Sequence, residues 1–66
     1  MRKLNIEFGE CEHEGDEANY IENLLNDSRI ASARTIARNY EEEVVVIQVE
    51  TERLTRDQVE AIGFGE

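Results

Sequence analysis

Apolar and polar residues alternate at the start of the chain. In Lys3-Leu4-Asn5-Ile6-Glu7-Phe8 every second side chain is apolar, so Leu4, Ile6 and Phe8 share one face of a half-buried strand that Gly9 ends. The period then changes. Ala18, Ile21, Leu24 and Leu25 fall at helical spacing, and Asn26-Asp27-Ser28 is a stop signal, which predicts a helix over 17–26. Asp16 precedes it as a capping carboxylate, and Glu17 sits in its first turn, near the positive end of the helix dipole. Val44-Val45-Val46-Ile47-Gln48-Val49 is β-branched and predicts a strand, with Val45, Ile47 and Val49 turned inward and Gln48 and Glu50 on the wetter face. A second helix is expected over 56–62. Thr55 and Gln58 form a capping box, Leu54 and Val59 a hydrophobic staple, and Ile62 completes the apolar stripe. Gly63 falls where a left-handed C-terminal cap is expected, and Phe64 is placed to pack back on the helix.

Residues 29–40 admit two readings. As a helix capped by Ser28, Ile30, Ala33, Ala37 and Tyr40 line one face, and the alanines favour it. As a strand, Ala33, Thr35 and Ala37 point one way, and Arg34, Ile36, Arg38 and Tyr40 the other. The helical reading leaves a sheet of two strands, a poor platform for three helices, so the fold favours the strand. The order is then βαββα, with a right-handed crossover from the first strand. The expected fold is one α+β domain over 1–66. It is ferredoxin-like, with two helices on one face of a small antiparallel or mixed sheet. Ile36, Tyr40, Val44 and Val46 are partly uncovered in this arrangement, a patch suited to weak self-association, so a monomer or weak dimer is expected.

Charge narrows the function. Sixteen acids face seven Lys and Arg in 66 residues, a net charge of −9. Direct nucleic-acid binding requires basic patches that displace counterions, so it is excluded as an expectation. The partners of such a field are cations or basic proteins. The acids are also segregated. From Leu4 to Ser28 there are eight and no Lys or Arg, Glu41-Glu42-Glu43 form a second block at the expected hairpin tip, and Glu50 and Glu52 a third. The longest apolar run, Val44 to Ile47, is far short of the ~20 residues of a membrane helix. Met1-Arg2-Lys3 leads into alternating residues rather than an apolar run, so no signal peptide is expected. A single cysteine, Cys11, suits a reducing compartment, and a cytoplasmic protein is expected.

The stretch from Phe8 to Glu17, FGECEHEGDE, holds five acids, Cys11 and His13. Thiolate, imidazole and carboxylate are all zinc donors, but one Cys-x-His on a loop lacks the spacing of a structural zinc site. The acids are out of register for a calcium-binding EF-hand loop. No cofactor is expected. No nucleophile–base pair stands out, no phosphate-cradling glycine loop is present, and a chain this short has little room for a ligand pocket of ~300 Å³ or more. The expectation is therefore a non-enzymatic binding protein. Its candidate contacts are Glu10, Glu12, Glu14, Asp16, Glu17, Glu41, Glu42 and Glu43.

Two resemblances extend this reading. The stretch from Tyr20 onward, through the closing motif Ala61-Ile62-Gly63-Phe64, resembles the back two thirds of a heavy-metal-associated domain of the copper-metallochaperone family. That resemblance implies the βαββα order. The family's metal motif is Met-x-Cys-x-x-Cys. Here Cys11 matches the first cysteine, Glu14 stands at the second, and no Met precedes. A degenerate domain binding a metal ion through Cys11 and His13 is the alternative function. In size and charge the chain is also similar to small acidic inhibitors encoded by bacteriophages, which mimic DNA. This likeness implies an inhibitor occupying the basic surface of a DNA-binding protein, such as a histone-like nucleoid protein, a polymerase or a nuclease.

Overall fold

A computed structural model describes residues 1–65. Five elements follow one another: β1 (Arg2–Phe8), α1 (Glu14–Leu25), β2 (Ile30–Asn39), β3 (Val44–Thr51) and α2 (Arg56–Gly63). This is the α+β, ferredoxin-like βαββα order. Within residues 29–40 the strand reading holds, over Ile30–Asn39, because β2 gains its hydrogen bonds and apolar cover from β3 and α1. The sheet has three strands in the order β1-β3-β2, and both pairings are antiparallel. The crossover through α1 therefore skips over β3. That placement gives the most apolar strand two hydrogen-bonded neighbours.

The core lies between the sheet and the helices. Ile6, Val45, Ile47, Val49, Leu24 and Val59 are fully buried, and Phe8, Tyr20, Ile30 and Leu54 nearly so. The period-two pattern of β3 places Val45, Ile47, Val49 and Thr51 on the helix face, and the intervening residues are half-buried. Thr51 is buried without penalty because its hydroxyl donates to the Arg29 carbonyl at 2.9 Å. On the open face Ile36 is exposed, and Val44 and Val46 are half-buried.

Three local expectations are corrected. Helix α1 begins at Glu14, with His13 as its N-cap, rather than at Glu17. Asp16 thus lies inside the first turn and does not cap; its carboxylate accepts the Glu12 N–H at 3.2 Å. Helix α2 has its capping box, Thr55 and Gln58 each bonding the other's backbone N–H. However, Gly63 is its last helical residue, and the left-handed residue is Gly65, with φ of 85°. Gly63 is required for a different reason. A Cβ at this position falls 2.2 Å from Cζ of Tyr20, so only a bare backbone lets the helices meet. Phe64 packs edge-on against Phe8 and Tyr20, each at 5.4 Å between ring centroids.

Candidate functional site

The acidic segments meet at one end of the sheet. Strand β1 ends there at Phe8, opposite Val45, and Asn39 closes β2 opposite Val44. The hairpin tip 40–43 and the loop leading to α1 therefore emerge side by side. The Cys11 N–H donates to the Glu43 carbonyl at 3.1 Å and ties them together. In the tip, the Glu43 N–H donates to the Tyr40 carbonyl at 3.1 Å, and the Asn39 side chain accepts the Glu42 N–H at 3.2 Å. Glu43 completes the turn with φ of 58°, a left-handed conformation that a glutamate rarely adopts.

Seven of the eight candidate residues lie at the surface of this end. Glu10, Glu12, Glu14, Glu41, Glu42 and Glu43 are exposed and Asp16 is half-buried. Among the described residues the ion pairs are Asp27 with Arg29, Glu17 with Arg38, and Asp16 with His13 at 3.6 Å. None involves the six glutamates.

Glu17 is the exception, and its expected place on the surface is corrected. It is only 6% exposed and faces the core. Arg38 grips it with Nε donating to Oε1 at 2.8 Å and Nη2 to Oε2 at 2.6 Å. The Tyr40 hydroxyl donates to Oε1 at 2.7 Å and the Thr35 hydroxyl to Oε2 at 2.8 Å. The Arg38 hydrogen bonds, opposed by burial and aided by Tyr40 and Thr35, hold the Glu17 carboxyl at a pKa of about 2. The same bond to Glu17, together with burial, pushes the Tyr40 phenol up to about 12.

Simple alternation places Thr35 on one face of β2 and Arg38 and Tyr40 on the other. A register shift between Thr35 and Ala37 overturns this. Thr35 is opposite Ile47 and Ala37 opposite Val46, so Ile36 is the extra residue of a bulge. Beyond it every side chain changes face, and Arg38 comes opposite the inward-facing Val45. One signal in the sequence marks Glu17. It lies three and seven residues before Tyr20 and Leu24, on the stripe that becomes the buried face of α1.

Cys11 and His13 face different surroundings. Cys11 is fully buried, and its thiol lies 3.5 Å from the His13 carbonyl. Burial, then the carboxylates of Glu17 and Asp16, push its pKa up. The His13 side chain is 70% exposed. Among the described residues no group of three or more His, Cys, Asp and Glu is arranged to hold a metal ion.

The far end of the sheet differs in character. A cleft of about 330 Å³ there is lined by Met1, Ser28, Arg29, Ala31, Glu52 and Arg53, so the molecule does reach pocket-sized volume, away from the eight candidate acids. Asp27 beside it accepts three hydrogen bonds from Arg29, whose side chain holds its carboxyl at about 2. Among the described residues no helix is long and apolar enough to cross a membrane. Compared with known proteins, the chain matches no family model, no curated protein and no solved structure.

Proposed function

We propose that this chain is a non-enzymatic acidic binding protein, a DNA mimic that occupies the basic nucleic-acid-binding surface of a partner protein and blocks its access to DNA. The observation that carries the reading is the Cys11–Glu43 hydrogen bond. It brings two blocks far apart in sequence to one end of a small rigid body. Glu10, Glu12, Glu14, Asp16, Glu41, Glu42 and Glu43 then form a single field in which, among the described residues, the only side-chain pairing is that of Asp16 with the His13 imidazole. Arg38 lies near the end of β2 that leads into the tip, and Glu17 takes up its charge. Glu17 itself is not a contact residue, because its oxygens are already engaged.

Size supports the same reading. The molecule measures 33 × 19 × 17 Å, and the acidic field occupies one end of it, where an extent of 19 Å is the length of about five base pairs at 3.4 Å each. A Lys/Arg groove shaped for a short duplex has the dimensions and the charge to accept this end. Glu43 adds a further indication. A strained left-handed glutamate, the last of the run Glu41-Glu42-Glu43, stands where glycine is easier, which suits a position serving for its charge.

The test is competitive capture. The immobilised chain should retain a basic DNA-binding protein at low salt and release it at high salt. Added duplex DNA should displace the same protein, because both ligands use one surface. Changing Glu41, Glu42 and Glu43 together to Gln should weaken retention. Capture that ignores salt, or that DNA does not displace, overturns the proposal.

A further inference from the structure

We infer that the outer edge of β1 is a self-pairing surface, where a second copy of the chain adds its own β1 antiparallel about a two-fold axis at Asn5. Strand β1 lies at the edge of the sheet, and its inner side is paired with β3 over all of its residues, Arg2 to Phe8. Side chains and hydrogen-bonding groups alternate along such a strand. The Arg56 guanidinium donates to the Asn5 carbonyl, which marks Asn5 as a residue whose backbone groups face outward. By alternation Lys3 and Glu7 share that direction. Among the described residues no strand takes these groups.

The side chains select the partner. When Asn5 lies opposite Asn5 of a second copy, Lys3 falls opposite the second copy's Glu7, and Glu7 opposite its Lys3. Both pairs are of opposite sign, and both sit at positions whose backbone groups face outward, so charge and hydrogen bonding agree on one register. Leu4, half-buried here, comes opposite the second copy's Ile6 on the helix face. In a parallel in-register pairing Lys3 meets Lys3 and Glu7 meets Glu7, which the like charges oppose. Strand β2, the other edge, carries two register shifts and offers no comparable straight run. Arg56 is the competitor for this surface. It occupies the central acceptor of the edge and must be displaced when the second strand arrives.

The paired surface is a single short strand, well below the ~1,200 Å² of a standard interface, so a weak and concentration-dependent dimer is expected. Each copy carries −9, so association should strengthen as salt rises to about 1 M, where the Debye length is ~3 Å. This is opposite to the salt response of partner capture, so the two proposals fail separately.

Sedimentation equilibrium at about 1 mM protein and about 1 M salt should show a doubled mass in part of the population. Lys3→Glu should weaken association about tenfold, since two pairs become repulsive. Adding Glu7→Lys should restore it, and Arg56→Ala should strengthen it. Register has its own test. Directly opposed residues of this kind lie about 5.5 Å apart at Cα, within the range that a disulfide spans. Asn5→Cys should therefore cross-link to itself under oxidation. Lys3→Cys should not, but should cross-link to Glu7→Cys when the two are mixed. A chain that stays monomeric under these conditions, or cross-links that ignore position, overturns the inference.

Discussion

Glu17 and Arg38 meet as a two-pronged ion pair across 21 residues of sequence, on a face that strict alternation denies to Arg38. The bulge at Ile36 makes the meeting possible, and the Tyr40 and Thr35 hydroxyls complete it. Helix α1 is thereby fastened to the end of β2 that leads into the acidic hairpin tip. The polar cluster supports the candidate site without forming part of it.

That pair makes stability depend on acid. The folded-state pKa of Glu17, about 2, lies below the ordinary value of 4.5. Its contribution is therefore complete above about pH 4.5 and is lost as pH falls towards 2. The shift corresponds to about 3 kcal/mol at neutral pH. Glu17→Gln should lower stability at pH 7 by about 2 kcal/mol, or Tm by roughly 8–16 °C in a domain of this size. It should also flatten the decline between pH 4.5 and 2. Thermal melts of both proteins across that window check the point; parallel pH curves would show that Glu17 is not the group responsible.

Gly63→Ala should destabilise by about 2 kcal/mol or more, because the added methyl meets the Tyr20 ring at 2.2 Å and the buried ring must shift out of its stack with Phe8. Gly9→Ala is the matched control. Nothing lies within 4 Å of the added carbon there, and the change should be neutral or stabilising by up to about 1 kcal/mol. Urea denaturation of the two variants should separate them clearly.

Glu43→Gly should raise stability by about 1 kcal/mol by removing the cost of a left-handed side-chain-bearing residue. Glu43→Gln, which keeps the strain and removes the charge, should leave stability nearly unchanged. If the tip binds a basic partner, both variants should lose affinity alike. Stability and capture measured side by side therefore distinguish backbone strain from charge.

Cys11 should resist modification in the native protein. It has no exposed surface, and burial raises its pKa, so little thiolate is presented to a reagent. Labelling by an aromatic disulfide reagent should proceed through opening of the fold and accelerate at least about a hundredfold in denaturant. Fast native labelling would place the thiol outside the core.

The legible parts of this molecule are those governed by neighbours in sequence. The alternation of Leu4, Ile6 and Phe8 and of Val45, Ile47 and Val49 identifies both strands and their inner faces. Thr55 and Gln58 locate the start of α2. The two acidic blocks are equally plain, and their eight residues include seven that the fold leaves at the surface. The start of α1 was less legible, because Glu14, Asp16 and Glu17 all suit a first turn and nothing local selects among them.

By itself the amino-acid order settles β1, β3 and the two helices, the inward sets of β1 and β3, and a strongly negative surface, because period and charge are properties of neighbours. Tertiary structure alone decided that residues 30–39 are a strand, since their alanines suit a helix until β3 offers a hydrogen-bonded edge. It also decided that Glu17 is interior, that Gly63 serves the Tyr20 ring, and that Cys11 joins the two acidic blocks through Glu43. Each of these rests on contacts between residues distant in the chain. A single unpaired residue at Ile36 then determines which side chains point inward, and periodicity carries no trace of such an insertion until the partner strand is in place.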